Sequence, residues 1–229
     1  MTGRAPAFAG AYQLSIRMTR PPVEMDMTGQ ITFYYNPQSR AAVTRWALEE
    51  AGADYKIVPM SFENGDTRKP DFLKINPMGK IPTLVLGDGT VLTENGAIIA
   101  WLAAAYPDAK LSPPAGSPEH GTMLRWLFFC GSCFEPAMTE RMIRKDGEPI
   151  SKQMAGWGDY DEVIDAFERA LTPGPFLLGD RFSAADIYVA ASLGWGTMFG
   201  APRLKESEII QSYVARATDR PAYKRANEA

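Results

Sequence analysis

The first third of the chain alternates short β-type runs with one amphipathic helical run. Residues 31–35 are β-branched and aromatic, which predicts a strand. Apolar residues recur at helical spacing over 39–51, and Gly52 follows as a C-terminal stop. A second short strand is predicted over 54–59. A strand–helix–strand unit of this kind favours parallel pairing of its two strands.

Two further β-type runs and an apolar helix complete this part of the pattern. After one predicted helical turn at 71–74, residues 82–86 and 90–92 flank a Gly-Asp-Gly turn, which is a strong hairpin signal. A compact apolar helix is predicted over 95–105. The order βαβ–ββα therefore predicts a mixed four-stranded sheet with helices packed against it.

Strand patterns end at a Pro-rich segment over 107–118, which reads as a linker. Ser183 and Asp186 form a variant of the capping box before an apolar run, and this predicts a helix start. Helical periodicity is found over 121–142, 152–171, 183–198 and 205–218. The fold class is thus α/β followed by all-α, with a domain over 30–108, a linker over 109–118 and an all-helical domain over 119–229.

Residues 1–29 follow no clear period and predict a disordered N-terminal extension. Met27 stands four residues before the first predicted strand and is an alternative translation start. An apolar run of roughly 18 to 20 residues, as a membrane helix requires, is not found in the sequence.

Composition excludes several classes of function. The 229 residues include 24 Lys and Arg against 27 Asp and Glu, and this balance argues against a nucleic-acid binder. With one histidine and two cysteines, the chain cannot build a Cys/His zinc or iron–sulfur site alone, so no metal is predicted. So few cysteines also favour a reducing, cytoplasmic location.

Three local motifs carry a family resemblance. Asn-Pro-Met-Gly-Lys-Ile-Pro at 76–82 leads into a strand, Leu-Thr-Glu-Asn-Gly at 92–96 opens a helix, and Phe-Ser-Ala-Ala-Asp-Ile occupies 182–187. With these motifs the chain resembles the soluble, cytosolic-type glutathione transferase superfamily, in a bacterial-like form. The resemblance implies a thioredoxin-like domain, glutathione as co-substrate, a homodimer and detoxification of a small hydrophobic electrophile.

The resemblance also implies which residues hold glutathione. Pro82 is expected in the cis form, which leaves the backbone of Ile81 to pair with the cysteinyl unit. Glu94 is expected to face the γ-glutamyl ammonium, while Asn95 and its backbone amide hold the carboxylate at a helix N-terminus. Lys80 is expected near a glutathione carboxylate. Ordinary structural roles remain open for Lys80, Pro82 and Glu94.

The group that activates the thiol has three candidates. Thioredoxin-like redox proteins place Cys-x-x-Cys where this chain has Asn36-Pro-Gln-Ser39, so a dithiol mechanism is excluded there. Ser39 ranks first as hydrogen-bond donor to a glutathione thiolate, Asn36 second and Tyr35 third, with Tyr34 expected in the core. A role for Ser39 as a helix cap stays open. The bacterial cysteine-type pattern would place its Cys at Arg40, so that mechanism is absent.

Two further features lie on the predicted helix 121–142. Its aromatic and Met residues are candidates for the hydrophobic-substrate pocket, with bundle core as the alternative. Cys130-Gly-Ser-Cys133 has redox spacing, but a buried structural role is favoured. His120 is expected in a surface or capping role. The candidate pocket residues are Trp126, Phe134 and Met138.

The predicted function is transfer of the glutathione thiolate to a small hydrophobic electrophile. A glutathione-dependent disulfide reductase is the first alternative, because related enzymes use an amide where this chain has Asn36. The second alternative is a non-catalytic binding module of the same fold.

Overall fold

A computed structural model describes residues 30–144 and 150–228. The predictions of a disordered extension and of a start at Met27 lie outside the described residues. A four-stranded sheet with the order β2-β1-β3-β4 organises the N-terminal half. Its strands are β1 (Ile31–Tyr35), β2 (Tyr55–Pro59), β3 (Thr83–Val85) and β4 (Val91–Thr93).

The central strand β1 pairs in parallel with β2 and antiparallel with β3, and β3 pairs antiparallel with β4. The mixed sheet predicted from the βαβ–ββα order is confirmed. Side chains of β1 alternate across the sheet, and Phe33 and Tyr35 are buried. Tyr34, which was expected in the core, is half-buried on the other face, with its ring centroid 5.2 Å from that of Phe72. The expectation for Tyr34 was therefore wrong, because the alternation of the strand buries its neighbour Tyr35 instead.

Three helices pack against this sheet. Gly52 ends the first with φ of 67°, a left-handed conformation that glycine adopts without a Cβ clash. The third begins and ends where the apolar pattern predicts. The helices are α1 (Ala41–Ala51), α2 (Pro70–Ile75) and α3 (Asn95–Ala105).

The second half contains helices and no strand among the described residues. The predicted helix 121–142 is interrupted by a π-helical segment, Cys130–Phe134. The helix predicted from 152 begins at Tyr160, where the Asp159 side chain caps it by accepting from the Glu162 amide at 2.8 Å. The last helix was not predicted. These helices are α4 (Pro118–Phe129), α5 (Glu135–Ile143), α6 (Tyr160–Leu171), α7 (Ala184–Met198), α8 (Glu208–Thr218) and α9 (Pro221–Asn227).

The capping box at the start of α7 is confirmed as a structural device. The Asp186 carboxylate accepts from the Ser183 amide at 2.8 Å and from the Leu177 amide at 3.0 Å. The Tyr213 hydroxyl donates to the same carboxylate at 3.0 Å. Asp186 is fully buried, so these donors compensate for the loss of water around its carboxylate. The box thus fixes α7 at the centre of the bundle.

The last described helix, α9, closes over α1. Arg220 donates to both carboxylate oxygens of Glu50, at 2.6 and 2.8 Å. The Tyr223 ring meets Trp46 edge-on, with 4.9 Å between ring centroids. Because α1 begins at the sheet edge where the candidate site lies, this contact ties the site to α9. None of the helices in the described part of the chain is both long and apolar enough to cross a membrane.

Candidate functional site

The loop at 76–82 is built around one buried amide. The Asn76 side chain donates to the Lys80 carbonyl at 2.8 Å and to the Thr83 hydroxyl at 3.1 Å, and it accepts from the Met78 amide at 3.1 Å. The Thr83 hydroxyl in turn donates to the Lys80 carbonyl at 2.9 Å. The backbone from 78 to 81 is therefore fixed from inside, and the Arg68 guanidinium donates to the Met78 carbonyl at 3.3 Å.

Close backbone approach explains the glycine of this loop. Gly79 has φ of 60°, and a Cβ there would lie 2.6 Å from the Thr67 carbonyl oxygen. The peptide bond between Ile81 and Pro82 is cis. Lys80 is exposed beside it, and Ile81 is half-buried. Lys80 and Ile81 thus line one cavity wall, as the sequence motif implies.

The N-terminus of α3 forms an edge of the site that favours a negatively charged ligand group. Glu94 precedes the helix with φ of 66°, an uncommon conformation for a non-glycine residue that marks ligand clamps. Its carboxylate is exposed, and its carbonyl accepts from the Ile98 amide at 2.9 Å. The amides of the first helical turn have no acceptor within the helix, so they favour a negative ligand group.

The side chain of Asn95 points into the protein, contrary to the expectation that it holds a ligand carboxylate. Its oxygen accepts from the Thr44 hydroxyl at 2.8 Å, and its nitrogen donates to the Arg40 carbonyl at 3.1 Å. Both Asn95 and Thr44 are buried. Asn95 therefore braces α3 against α1, and only its backbone amide is left for a ligand.

The two leading thiol-activating candidates are both engaged in the turn that follows β1. The Ser39 hydroxyl donates to the Asn36 carbonyl at 2.7 Å and accepts from the Ala41 amide at 3.1 Å. The Asn36 side chain donates to the Met60 carbonyl at 2.6 Å and accepts from the Gln38 amide at 2.8 Å. Ser39, which precedes the N-cap residue Arg40, thus binds the first amide of α1, and the Asn36 amide holds the turn to the end of β2.

Tyr35, the third candidate, lies elsewhere. Its ring is buried beside Arg45, whose guanidinium carbon is 5.4 Å from the ring centroid. Together they line a cavity of about 1070 Å³ between the first strands and α9. Tyr35 does not line the cavity that Lys80 and Ile81 border. Tyr35 follows Phe33 by two residues, so both side chains lie on the same face of the sheet. This places Tyr35 at the cavity of about 1070 Å³ and not at the cavity of Lys80 and Ile81.

Two cavities meet at the start of α1. One, of about 420 Å³, runs along the loop that carries Lys80 and Ile81. The other, of about 700 Å³, extends between α1 and the helices α7, α8 and α9. The residues that line both are Gln38, Ser39, Arg40 and Trp195. A ligand in the first cavity therefore reaches the second at this junction.

The apolar wall of the larger cavity comes from the end of α7, where the sequence did not place it. Trp195 and Phe199 lie with ring centroids 4.5 Å apart, and Met198 and Phe199 are exposed by 72% and 53%. The cluster of bulky apolar residues at the end of this helix is visible in the sequence. The helical period does not show, however, that this end of the helix faces the cleft.

The residues predicted for the hydrophobic pocket lie in the core instead. Trp126, Phe134 and Met138 are each exposed by 3% or less. The rings of Trp126 and Phe134 pack on Phe167, with centroid distances of 5.6 and 5.5 Å. The expected pocket assignment was wrong because these side chains face the bundle axis.

In the Cys-x-x-Cys segment, Cys133 is half-buried, and the two residues between the cysteines are exposed. Cys130 is buried, its sulfur is 3.8 Å from the Tyr188 carbonyl oxygen, and burial raises its pKa to about 12. A thiol of this kind is a poor nucleophile at neutral pH. His120 lies in the first turn of α4, where its amide donates to the Ser117 hydroxyl at 3.1 Å. Within 30–144 and 150–228, no three His, Cys, Asp or Glu side chains cluster as metal ligands.

Arg40 bridges the two halves of the protein across the junction, and the sequence did not single it out as a site residue. Its Nη2 donates to the Ser192 hydroxyl at 3.1 Å and to the Glu135 carboxylate. Its guanidinium carbon lies 4.6 Å from the centroid of the Trp195 ring. Arg40 thereby joins α1 to α5 and α7.

Two family models cover most of this architecture. The glutathione S-transferase N-terminal domain matches residues 29–104, and the glutathione S-transferase C-terminal domain matches residues 100–206. A crystal structure of a glutathione transferase from Methylococcus capsulatus is 33% identical, with a TM-score of 0.73 over 86% of this chain and 96% of that one. The chain belongs to the glutathione transferase superfamily.

Other glutathione transferases show the same extent of similarity. Glutathione S-transferase GstA of Escherichia coli O157:H7 is 28% identical over 193 residues, which is 82% of this chain and 92% of GstA. A glutathione transferase homologue from Sulfitobacter, solved with bound glutathione, is 28% identical with a TM-score of 0.71. The match covers 86% of this chain and 96% of the Sulfitobacter protein. The chain is therefore a glutathione transferase enzyme with a thioredoxin-like N-terminal domain.

Proposed function

We propose that this transferase binds glutathione along the loop at 78–81 and conjugates its sulfur to a small apolar electrophile in the larger cavity. The observation that supports this is the junction of the two cavities at Ser39, Arg40 and Trp195. One cavity is bordered by charged side chains, and the other is bordered by aromatic and aliphatic ones. A polar thiol donor and an apolar acceptor would meet where they join.

The glutathione end of the proposal uses charge and backbone together. Lys80 and Arg68 are exposed cations at the small cavity, which suits the carboxylates of the tripeptide. The backbone of Ile81 is placed to pair with the cysteinyl unit as an added strand. The Glu94 carboxylate faces the γ-glutamyl ammonium, and the Asn95 amide at the start of α3 holds the neighbouring carboxylate.

The proposed reaction is nucleophilic substitution or addition by the thiolate. The glutathione thiol releases its proton to water, and a sulfur lone pair forms a bond to the electrophilic carbon. In a substitution, a leaving group departs with the electrons of its bond to that carbon. In an addition, the electrons of the acceptor's double bond take up a proton from water. Trp195, Met198 and Phe199 would hold the acceptor.

Calorimetric titration with glutathione and with S-methylglutathione tests the binding half of the proposal. We expect saturable binding of both ligands, because both carry the carboxylates and the backbone that the small cavity recognises. The matched variants are Lys80→Met, which we expect to weaken binding of both ligands, and Lys74→Met on the exposed face of α2, which we expect to leave it unchanged. Absence of saturable uptake at millimolar concentration would exclude the proposal.

An activity panel separates conjugation from disulfide reduction. In the reductase alternative, two glutathione molecules are oxidised to glutathione disulfide while a small disulfide is reduced to two thiols. That alternative rests on the amide at Asn36, one N–H of which is bonded to the Met60 carbonyl while the second remains. We expect conjugation of an aromatic halide to exceed reduction of a small disulfide. The reverse order would favour the reductase.

The resemblance further leads us to propose a homodimer that acts in detoxification in the cytoplasm. Sedimentation of the purified chain tests the oligomeric state, with a mass near twice 25.2 kDa expected. A monomer at micromolar concentration would contradict it.

A further inference from the structure

Arg40 carries hydrogen-bond donors that the protein itself does not use. Its Nε and Nη1 are shielded from water and have no acceptor in the part of the chain that the structure describes. Buried donors are nearly always paired, since an unpaired one loses its water without a replacement. An arginine with spare N–H groups beside two cavities therefore points to an acceptor that arrives with a ligand.

The rest of the Arg40 side chain is held in place. Nη2 is bonded to Glu135 and Ser192, and the Trp195 ring lies against the guanidinium. The Tyr188 hydroxyl donates to Glu135 at 2.9 Å, which holds that carboxylate in turn. One nitrogen thus anchors the guanidinium of a residue that lines both cavities, while the other two have no partner among the described residues.

The hydroxyl and amide beside Arg40 are less suited to meet a thiolate there. The Ser39 hydroxyl already donates its hydrogen bond to the Asn36 carbonyl. The Asn36 amide donates to Met60 across the turn. The hydroxyl would have to give up a short hydrogen bond in order to donate to sulfur. The amide keeps a second N–H but is uncharged, whereas Arg40 has, in the described part of the chain, two unpaired N–H nitrogens and a positive charge.

We propose that Arg40 is the catalytic residue that receives the glutathione thiolate, through an N–H donated to the sulfur and through its positive charge. This proposal rests on the proposed glutathione conjugation. The thiol proton leaves to water, because a guanidinium stays protonated and cannot act as the base. Arg40 stabilises the resulting anion until the sulfur lone pair forms the carbon–sulfur bond.

The test measures the thiol pKa of bound glutathione from the ultraviolet absorbance of the thiolate against pH. For Arg40→Gln we expect this pKa to rise by about one unit or more, which means about tenfold less thiolate below it. The value of kcat/KM should fall about as much at neutral pH and recover as the pH rises. Arg40→Lys keeps the charge with fewer donors and should give an intermediate pKa. Ser39→Ala should change the pKa by less than Arg40→Gln does.

Glu135→Gln separates a catalytic role from a purely structural one. If Arg40 only joins the domains, Arg40→Gln and Glu135→Gln break the same bridge and should raise the thiol pKa alike. If Arg40 meets the thiolate, Glu135→Gln removes a nearby negative charge and should leave the pKa unchanged or lower it. Opposite responses support the proposal. Equal increases, or an unchanged pKa in Arg40→Gln, overturn it.

Failure of this inference is distinguishable from failure of the proposed function. Wild-type protein that does not bind glutathione contradicts the function itself. Wild-type protein that binds and conjugates, with a thiol pKa that follows Ser39→Ala and ignores Arg40→Gln, contradicts Arg40 alone. If Arg40→Gln does not fold, the same comparison is read from Arg40→Lys against Glu135→Gln.

Discussion

The two walls of the cleft are built on different principles. On the thioredoxin-like side, the free edges are backbone, and the polar side chains of the motifs point inward to hold that backbone, as Asn76 and Asn95 do. On the helical side, the wall consists of the side chains themselves, and Met198 and Phe199 reach out from the end of α7.

This difference separates what each wall can tolerate. A backbone edge presents the same groups whatever side chains surround it, so it suits a constant ligand such as glutathione. A wall of exposed side chains changes with each substitution and leaves the core intact. We therefore expect substitutions of the inward-pointing side chains on the first wall to act through stability, and substitutions on the second wall to act through choice of acceptor.

The strongest test of the comparison is Asn76→Ala. The Lys80 carbonyl and the Met78 amide would each lose a bond from the buried side chain, so we expect the free energy of unfolding to fall by about 2 to 4 kcal/mol. Urea unfolding measures it. Asn64→Ala is the control, because Asn64 is exposed and, among the residues that the structure describes, only its backbone amide is bonded, to the Ser61 hydroxyl. If the two variants are equally stable, the inward side chain is not what holds this wall.

Neighbouring positions at the start of α3 sharpen the comparison. Asn95→Ala strands the Thr44 hydroxyl in the interior, and we expect it to lower the free energy of unfolding by about 1 to 3 kcal/mol. Glu94→Gln changes an exposed side chain, so its stability should stay within about 0.5 kcal/mol of wild type while the Kd for glutathione rises. Calorimetry and urea unfolding give both quantities. Weaker binding with unchanged stability in Asn95→Ala would assign that side chain to the ligand.

The smallest effect is expected on the helical wall, from Phe199→Ala. Loss of part of an aromatic contact surface should lower kcat/KM for an apolar acceptor about 5- to 30-fold, with the KM for glutathione unchanged. Phe128→Ala on α4 is the matched control, since Phe128 is 71% exposed and lines neither cavity of the cleft. Steady-state kinetics with each variant decide the point. Equal loss in both would remove α7 from the acceptor site.

Much of the fold was predictable because its signals are local. Three signals act within a few residues: the alternation at 31–35, the glycine at 52 and the box at Ser183 and Asp186. The strand or helix end that each signal predicts is confirmed. The π-helical segment was missed, although Pro136 in the first turn of α5 is a local signal for a helix irregularity. The helix α9 was missed as well, although Pro221 stands at its first turn.

The candidate site was predictable where a motif sets the backbone, and less so where a side chain must choose a direction. Lys80 and Ile81 line the expected cavity. Trp126 and Trp195 occupy similar apolar helical patterns, and only the tertiary packing decides that the first is core and the second is wall. Asn95 was correctly placed at the helix start, but the buried Thr44 hydroxyl draws its side chain inward.

The closure of α9 over α1 affects the order in which this protein is completed during synthesis. Arg220 reaches Glu50 across 170 positions of sequence, so the ribosome has added all of these residues before that bond exists. When the residues of the sheet have left the ribosome, Tyr223 does not yet cover Trp46. Premature termination just before residue 220 would leave that indole as a surface for chaperones and proteases.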